Sequence, residues 1–211
     1  MKYIYILAFV VLIVGGVLFV LFGSKTPEGV PKARIEETPI QNEDIAKESV
    51  KSSKAERATT TSVYNISNLK FSFTGYGPGK EHVGSFSDIK TSDVEVNEKN
   101  MPTKGVLTII TNSISAGIED LDTHLKSEDF FDVATYPEIT FTFKKATLVG
   151  VNYNILGTLV FRGISKDISF DVMRKGNDFS SDFLLDVTPF KFKYIGINKN
   201  VRIQFSFMVQ Q

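Results

Sequence analysis

Near the end of the chain, Val201, Ile203, Phe205, Phe207 and Val209 alternate with Arg202, Gln204, Ser206 and Gln210, and only Met208 breaks the pattern. Side chains two apart on an extended chain share a face, so this is a strand with one apolar and one wet face. The same period recurs in Leu69-Phe71-Phe73, Leu107-Ile109, Ile139-Phe141-Phe143, Tyr153-Ile155-Leu159-Phe161, Ile168-Phe170-Val172 and Phe183-Leu185-Val187. Turn chemistry falls between these runs, at residues 75–79, at residues 101–105, at Arg162-Gly163 and at Lys175-Gly176-Asn177. About eight short antiparallel strands with one apolar face hide it by pairing two sheets or by closing into a barrel. Periodicity alone does not choose between the two. An eight-stranded barrel is just wide enough to be filled by side chains or to enclose one slender ligand.

Composition divides the 211 residues into three parts. Residues 3–22 carry no charge, and at about 1.5 Å per residue a helix of that length crosses the roughly 30 Å hydrocarbon core of a bilayer. A cleaved leader has a shorter apolar region, about 7–15 residues, ending in a small-residue site that Leu21-Phe22-Gly23-Ser24-Lys25 does not supply. Residues 1–23 are therefore expected to be an uncleaved transmembrane anchor. Its orientation is weakly specified, because Lys2 stands on one side and Lys25, Lys32 and Arg34 on the other.

Residues 24–62 contain Pro27, Pro31 and Pro39, no aromatic residue, and seven basic against seven acidic residues. Such a stretch buries too little apolar surface to offset chain entropy, so a disordered, neutral spacer is expected. Residues 63–211 make one domain with 15 of the 18 Phe residues. Its nearly balanced charge lacks the basic footprint of a nucleic-acid-binding protein. The absence of Cys removes a lipobox thiol, a disulfide framework and any thiolate nucleophile or metal ligand.

Family likeness adds what periodicity leaves open. Residues 122–132 read D-x-H-L-x-S-x-D-F-F-D and are followed by Tyr136-Pro137-x-Ile139-x-Phe141. Together with Gly157-Thr-Leu-Val-Phe-Arg-Gly-Ile-Ser-Lys166, the element His82-Val-Gly-Ser-Phe86 and the closing Asn200-Val-Arg-Ile-Gln-Phe-Ser-Phe207, this resembles the YceI-like family. The resemblance implies a single antiparallel, lipocalin-like β-barrel that binds a polyisoprenoid. It also implies that the domain lies on the extracytoplasmic side, since such proteins are typically exported across the bacterial inner membrane, and the anchor expected at residues 1–23 then makes this a single-pass cell-membrane protein. The expected ligand-binding set is Phe71, Phe73, His82, Phe86, His124, Phe130, Phe141, Phe143, Phe161, Phe170, Phe205 and Phe207, with a long-chain lipid as partner and no cofactor. A homodimer stays open. The contrasting expectation is a structural or adhesive barrel with a solid core that binds a partner on its surface.

A helical insertion is expected over residues 114–133, with Ile118, Leu121 and Leu125 as its apolar stripe and Phe130 and Phe131 anchoring its end. Within it Asp120, Asp122 and His124 suggest a metal site, but residues two apart on a helix diverge by about 200°, so the two carboxylates cannot converge. A hydrogen bond in which Asp120 or Asp122 accepts from His124 and orients it is the expected arrangement. Neither Cys nor a Gly-x-Ser-x-Gly elbow is present, so carrying is expected and catalysis is not.

Overall fold

The alternation resolves into strands with the expected period. In a computed structural model that describes residues 26–36, 65–77, 79–97, 101–192 and 198–210, the strands are β1 (Arg34–Glu36), β2 (Asn65–Gly77), β3 (Lys80–Phe86), β4 (Ile89–Val96), β5 (Pro102–Ile110), β6 (Ile114–Ser115), β7 (Glu138–Val149), β8 (Asn152–Phe161), β9 (Ile164–Lys175), β10 (Asp178–Asp186) and β11 (Asn200–Gln210). One helix, α1 (Glu119–Lys126), lies between β6 and β7. The strands form one sheet in the order β4-β5-β7-β8-β9-β10-β11-β2-β3-β6, with β1 added to β9. All paired strands run antiparallel, and one isolated parallel bridge joins Lys32 to Leu184.

The sheet curls because β3 and β4 are two halves of one bent stretch. The first half pairs with β2 and the second with β5. At the bend the Ser87 N–H donates to the Ser113 carbonyl at 3.3 Å, and the Ile110 N–H donates to the Asp88 carbonyl at 3.0 Å. Curling turns the apolar face of each strand inward. The core accordingly draws Phe73, Phe86, Phe161, Phe170, Phe179 and Phe183 from five strands around the sheet.

Several elements differ from the sequence expectation. The reversal after β2 falls within residues 75–79 but at their end, since β2 extends through Gly77 and pairs it with Lys80 of β3. Residues 101–105 are not a turn, because Met101 is buried and β5 begins at Pro102. Hairpin turns do form at Arg162-Gly163, both with positive φ, and at Gly176-Asn177.

The helical insertion is much shorter than residues 114–133. Gly117 takes φ 74°, outside the helical region, and Ser127 at the other end is extended with ψ 171°. Ile118 is thereby left at the cap and exposed, so of the expected stripe only Leu121 and Leu125 pack inward. Part of the expected spacer is also structured. Residues 31–36 lie in the wall, because Ala33 and Ile35 supply two apolar side chains that pack against the core. Among the described residues no helix is long and apolar enough to cross a membrane, and residues 3–22 lie outside the described set.

Candidate functional site: an apolar cavity inside the curled sheet

The inward rings do not fill the interior. A cavity of about 330 Å³ remains, within the range of small-molecule sites. Its wall includes Phe71, Phe73, Phe86, Phe130, Phe141, Phe143, Phe161, Phe170, Phe205 and Phe207, and His82 reaches it from β3. The filled core of the alternative expectation would leave no such space.

Ring packing shapes the wall. Phe170 stacks on Phe183 at 4.6 Å and Phe179 on Phe207 at 5.0 Å, both nearly parallel. Offset stacks of this kind fix ring planes and stabilise by about 0.5–1.5 kcal/mol beyond area burial. Toward α1, Phe131 touches Phe73, Phe86, Phe161 and Phe192 with centroid separations of 5.9, 5.6, 5.5 and 6.2 Å. Phe131 is thus the hub of that end of the cavity, although it was expected only to anchor the helix.

Two glycines let rings lie flat against the wall. Phe73 faces Gly84 across the β2–β3 pair, and the Phe141 ring covers Gly157. Any larger residue at either glycine would collide with the ring.

Polar groups on the cavity wall are few. His82 and Lys104 are its titratable side chains, and Lys104 donates to Glu95 at 3.1 Å. That hydrogen bond raises the Lys104 ammonium above its ordinary pKa. Among the described residues, an interior with so few charges suits an apolar molecule.

His124 does not line the cavity. Its ring stands edge-on to Phe130 at 5.0 Å, with Nε2 3.5 Å from the Asp129 carboxylate. Asp122, expected as an orienting partner, serves the backbone instead: its carboxylate accepts from the Ala116 N–H and from the Ser115 hydroxyl at 2.8 Å. The Ala116 N–H first, and then the Ser115 hydroxyl, hold the Asp122 carboxyl below its ordinary pKa. Asp129 approaches His124 because the chain folds back after Ser127, whose hydroxyl donates to the His124 carbonyl at 2.7 Å. Among the described residues no three His, Asp or Glu side chains converge as a metal site.

Much of the sequence signature therefore serves architecture. Arg162 is buried, donates to the carbonyls of Glu128 and Phe130, and lies over the rings of Tyr136 and Phe192 at 5.8 and 5.7 Å. It clamps the segment after α1 onto the β8–β9 hairpin. Sequence reading also missed wall residues at Phe179, Phe183, Phe192, Thr91 and Val94. Phe183 sat in a recognised alternation and was available to it. Thr91 and Val94 lie on β4, whose apolar period is interrupted by a bulge between Ser92 and Glu95.

A curled, mostly antiparallel sheet around an apolar cavity, with one helix against it, defines a lipocalin-like fold. The chain belongs to the YceI-like domain family, whose pattern matches residues 58–209. It is 31% identical over 118 residues to Protein YceI of Salmonella newport (strain SL254), a match covering 54% of this chain and 57% of that protein. The chain thus matches little more than half the length of this curated relative.

Its fold is similar to that of BcnA from Burkholderia cenocepacia, with a TM-score of 0.59 at 20% identity over 68% of this chain and 96% of that one. It is also similar to a polyisoprenoid binding domain from Saccharophagus degradans implicated in plant cell wall breakdown. There the TM-score is 0.54 at 16% identity, covering 70% and 97% of the two chains.

Proposed function

We propose that this protein carries or sequesters an isoprenoid or similar long apolar lipid inside the curled sheet. In this reading residues 3–22 tether it to the cell membrane, and the sheet domain lies on the extracytoplasmic side as a closed barrel. The observation that carries the proposal is the phenylalanine-walled cavity. Each Å² of lipid surface removed from water stabilises the complex by about 25 cal/mol, so affinity needs little polar contact. His82 and Lys104 on the wall are the groups available to a lipid head. The polyisoprenoid binding domain of similar fold supports the ligand class, and the bent β3–β4 stretch that pairs on both sides supports closure.

The test is to purify residues 26–211 without detergent and identify co-purifying molecules by mass spectrometry of an organic extract. Residues 26–62 are retained because residues 31–36 belong to the wall. A long apolar lipid in about equimolar amount is expected. Protein that is empty and also rejects fluorescent isoprenoid probes would remove the carrier reading. For topology, protease added to spheroplasts is expected to digest the sheet domain while a cytoplasmic marker survives.

A further inference from the structure

The seam between β9 and β10 is built differently from its neighbours. β10 pairs with β11 along its whole length, from Asp178 to Asp186. With β9 it pairs only at Lys175–Asp178, Arg174–Phe179 and Met173–Ser180. Beyond the Ser181 hydroxyl, which donates to the Asp171 carbonyl at 2.6 Å, the two strands part.

Residues 31–36 occupy the gap. β1 runs antiparallel to β9, with Ile35 opposite Ile168. On the other side Lys32 bridges Leu184 in parallel. The Ala33 N–H donates to the Leu184 carbonyl at 2.9 Å, and the Leu184 N–H donates to the Pro31 carbonyl at 2.8 Å. A segment bonded on both edges with its apolar residues inward is part of the wall.

This placement shortens the spacer. Free, residues 24–62 would reach about 130–140 Å when fully extended. With residues 31–36 fixed, residues 23–30 remain between the apolar segment and the seam, and they reach at most about 26–29 Å. A turn at Glu28-Gly29 shortens that further. Strand directions also set the end from which the segment enters: Pro31 lies nearer the β9–β10 turn than Glu36 does, and that is the end where β7 turns into β8. The same end carries exposed apolar side chains, with Val151 84% exposed and Leu148, Val149 and Met173 each more than half exposed. Apolar residues clustered at one rim mark a contact surface.

We propose that residues 31–36 dock in the β9–β10 seam to seat the β7–β8 end of the sheet on the bilayer surface. This rests on the membrane-tethered reading of residues 3–22. The lumen is then held close to the lipid phase.

The chain has no Cys, so Val151→Cys gives a single labelling site. The labelled full-length chain is reconstituted in vesicles of phosphatidylethanolamine and phosphatidylglycerol containing a doxyl-labelled quencher lipid. A bimane at position 151 is expected to be quenched, and one placed by Lys80→Cys at the opposite end is not. Two further variants, each checked for native folding by its thermal transition, are expected to abolish quenching at 151 while still floating with the vesicles. Ala33→Pro removes the N–H that meets Leu184, and Leu148→Ser with Val149→Ser removes the apolar rim without touching the seam. A chain that floats with position 151 unquenched overturns this inference alone. Full quenching in folded Ala33→Pro overturns the role of the seam. A chain that does not float overturns the tether and the inference together.

Discussion

A Cβ built on Gly157 would stand 2.2 Å from the Phe141 ring and 2.7 Å from the Thr142 carbonyl oxygen, and one on Gly84 would stand 2.3 Å from the Phe73 ring. The two collisions differ in kind. At Gly157 the backbone is in the way as well as the ring, so Gly157→Ala is expected to cost about 1–3 kcal/mol as overpacking, measured by urea unfolding. At Gly84 the three nearest atoms all belong to the Phe73 ring. That ring can yield toward the cavity, so Gly84→Ala is expected to narrow the lumen and reduce retained lipid with the smaller stability cost. Phe205 and Gln204 offer a matched pair. Phe205→Ala in the empty protein is expected to cost less than the roughly 3–5 kcal/mol of a ring in a filled core, yet to weaken lipid retention. Gln204 lies on the outer face, donating to Asp182 at 3.2 Å. Gln204→Ala is expected to stay within about 0.5 kcal/mol and leave lipid retention unchanged. Which phenylalanines face inward was legible, because a period of two assigns faces without any partner strand. The glycine seats were not, because the ring over each belongs to a neighbouring strand, and only pairing and register set that contact.

At the scale of elements, long alternating strands were readable and interrupted or very short ones were not. β4 offers only Ile89, Val94 and Val96 as aliphatic residues and carries a bulge, while β1 has three residues and no period. The helix lies inside the range its apolar spacing implies but is shorter, because the Asp122 carboxylate pins the chain at Ala116 before the first turn, a local contact that apolar periodicity does not register. On the outer face Arg202 joins β11 to β10 by a two-pronged pair with Asp182, at 2.7 and 2.6 Å. The Arg202 hydrogen bonds hold the Asp182 carboxyl below its ordinary pKa, and Lys144 first, then Thr158, does the same for Asp167. A carboxyl whose folded pKa is depressed contributes stability that is complete above its unfolded value, about 3.9, and is lost as pH falls through the folded value. Thermal stability is therefore expected to be flat near neutrality and to fall below about pH 4. Asp182→Asn is expected to lower the melting temperature at pH 7 and to shrink the further loss between pH 7 and pH 3, because the group that would titrate is gone.

For the whole molecule, the family signature identified the class, yet its polar members Asp122, His124, Ser127 and Arg162 hold the chain around α1 in place while its phenylalanines line the cavity. His124 is the clearest case: conspicuous in the sequence, it pairs with Asp129 outside the cavity wall. The cavity itself was beyond sequence reasoning, since the same phenylalanines and period suit a filled or a hollow interior, and only the curvature of the sheet decides. Hollowness has a mechanical consequence. Unfolding eliminates internal void, so a folded chain gives up volume when it opens, typically about 20–100 mL/mol, and pressure favours the smaller state. The empty protein is expected to unfold at lower hydrostatic pressure than the lipid-loaded one, measured by intrinsic tyrosine fluorescence in a pressure cell. A guest that filled the lumen would remove the compressible space and so stiffen the sheet around it.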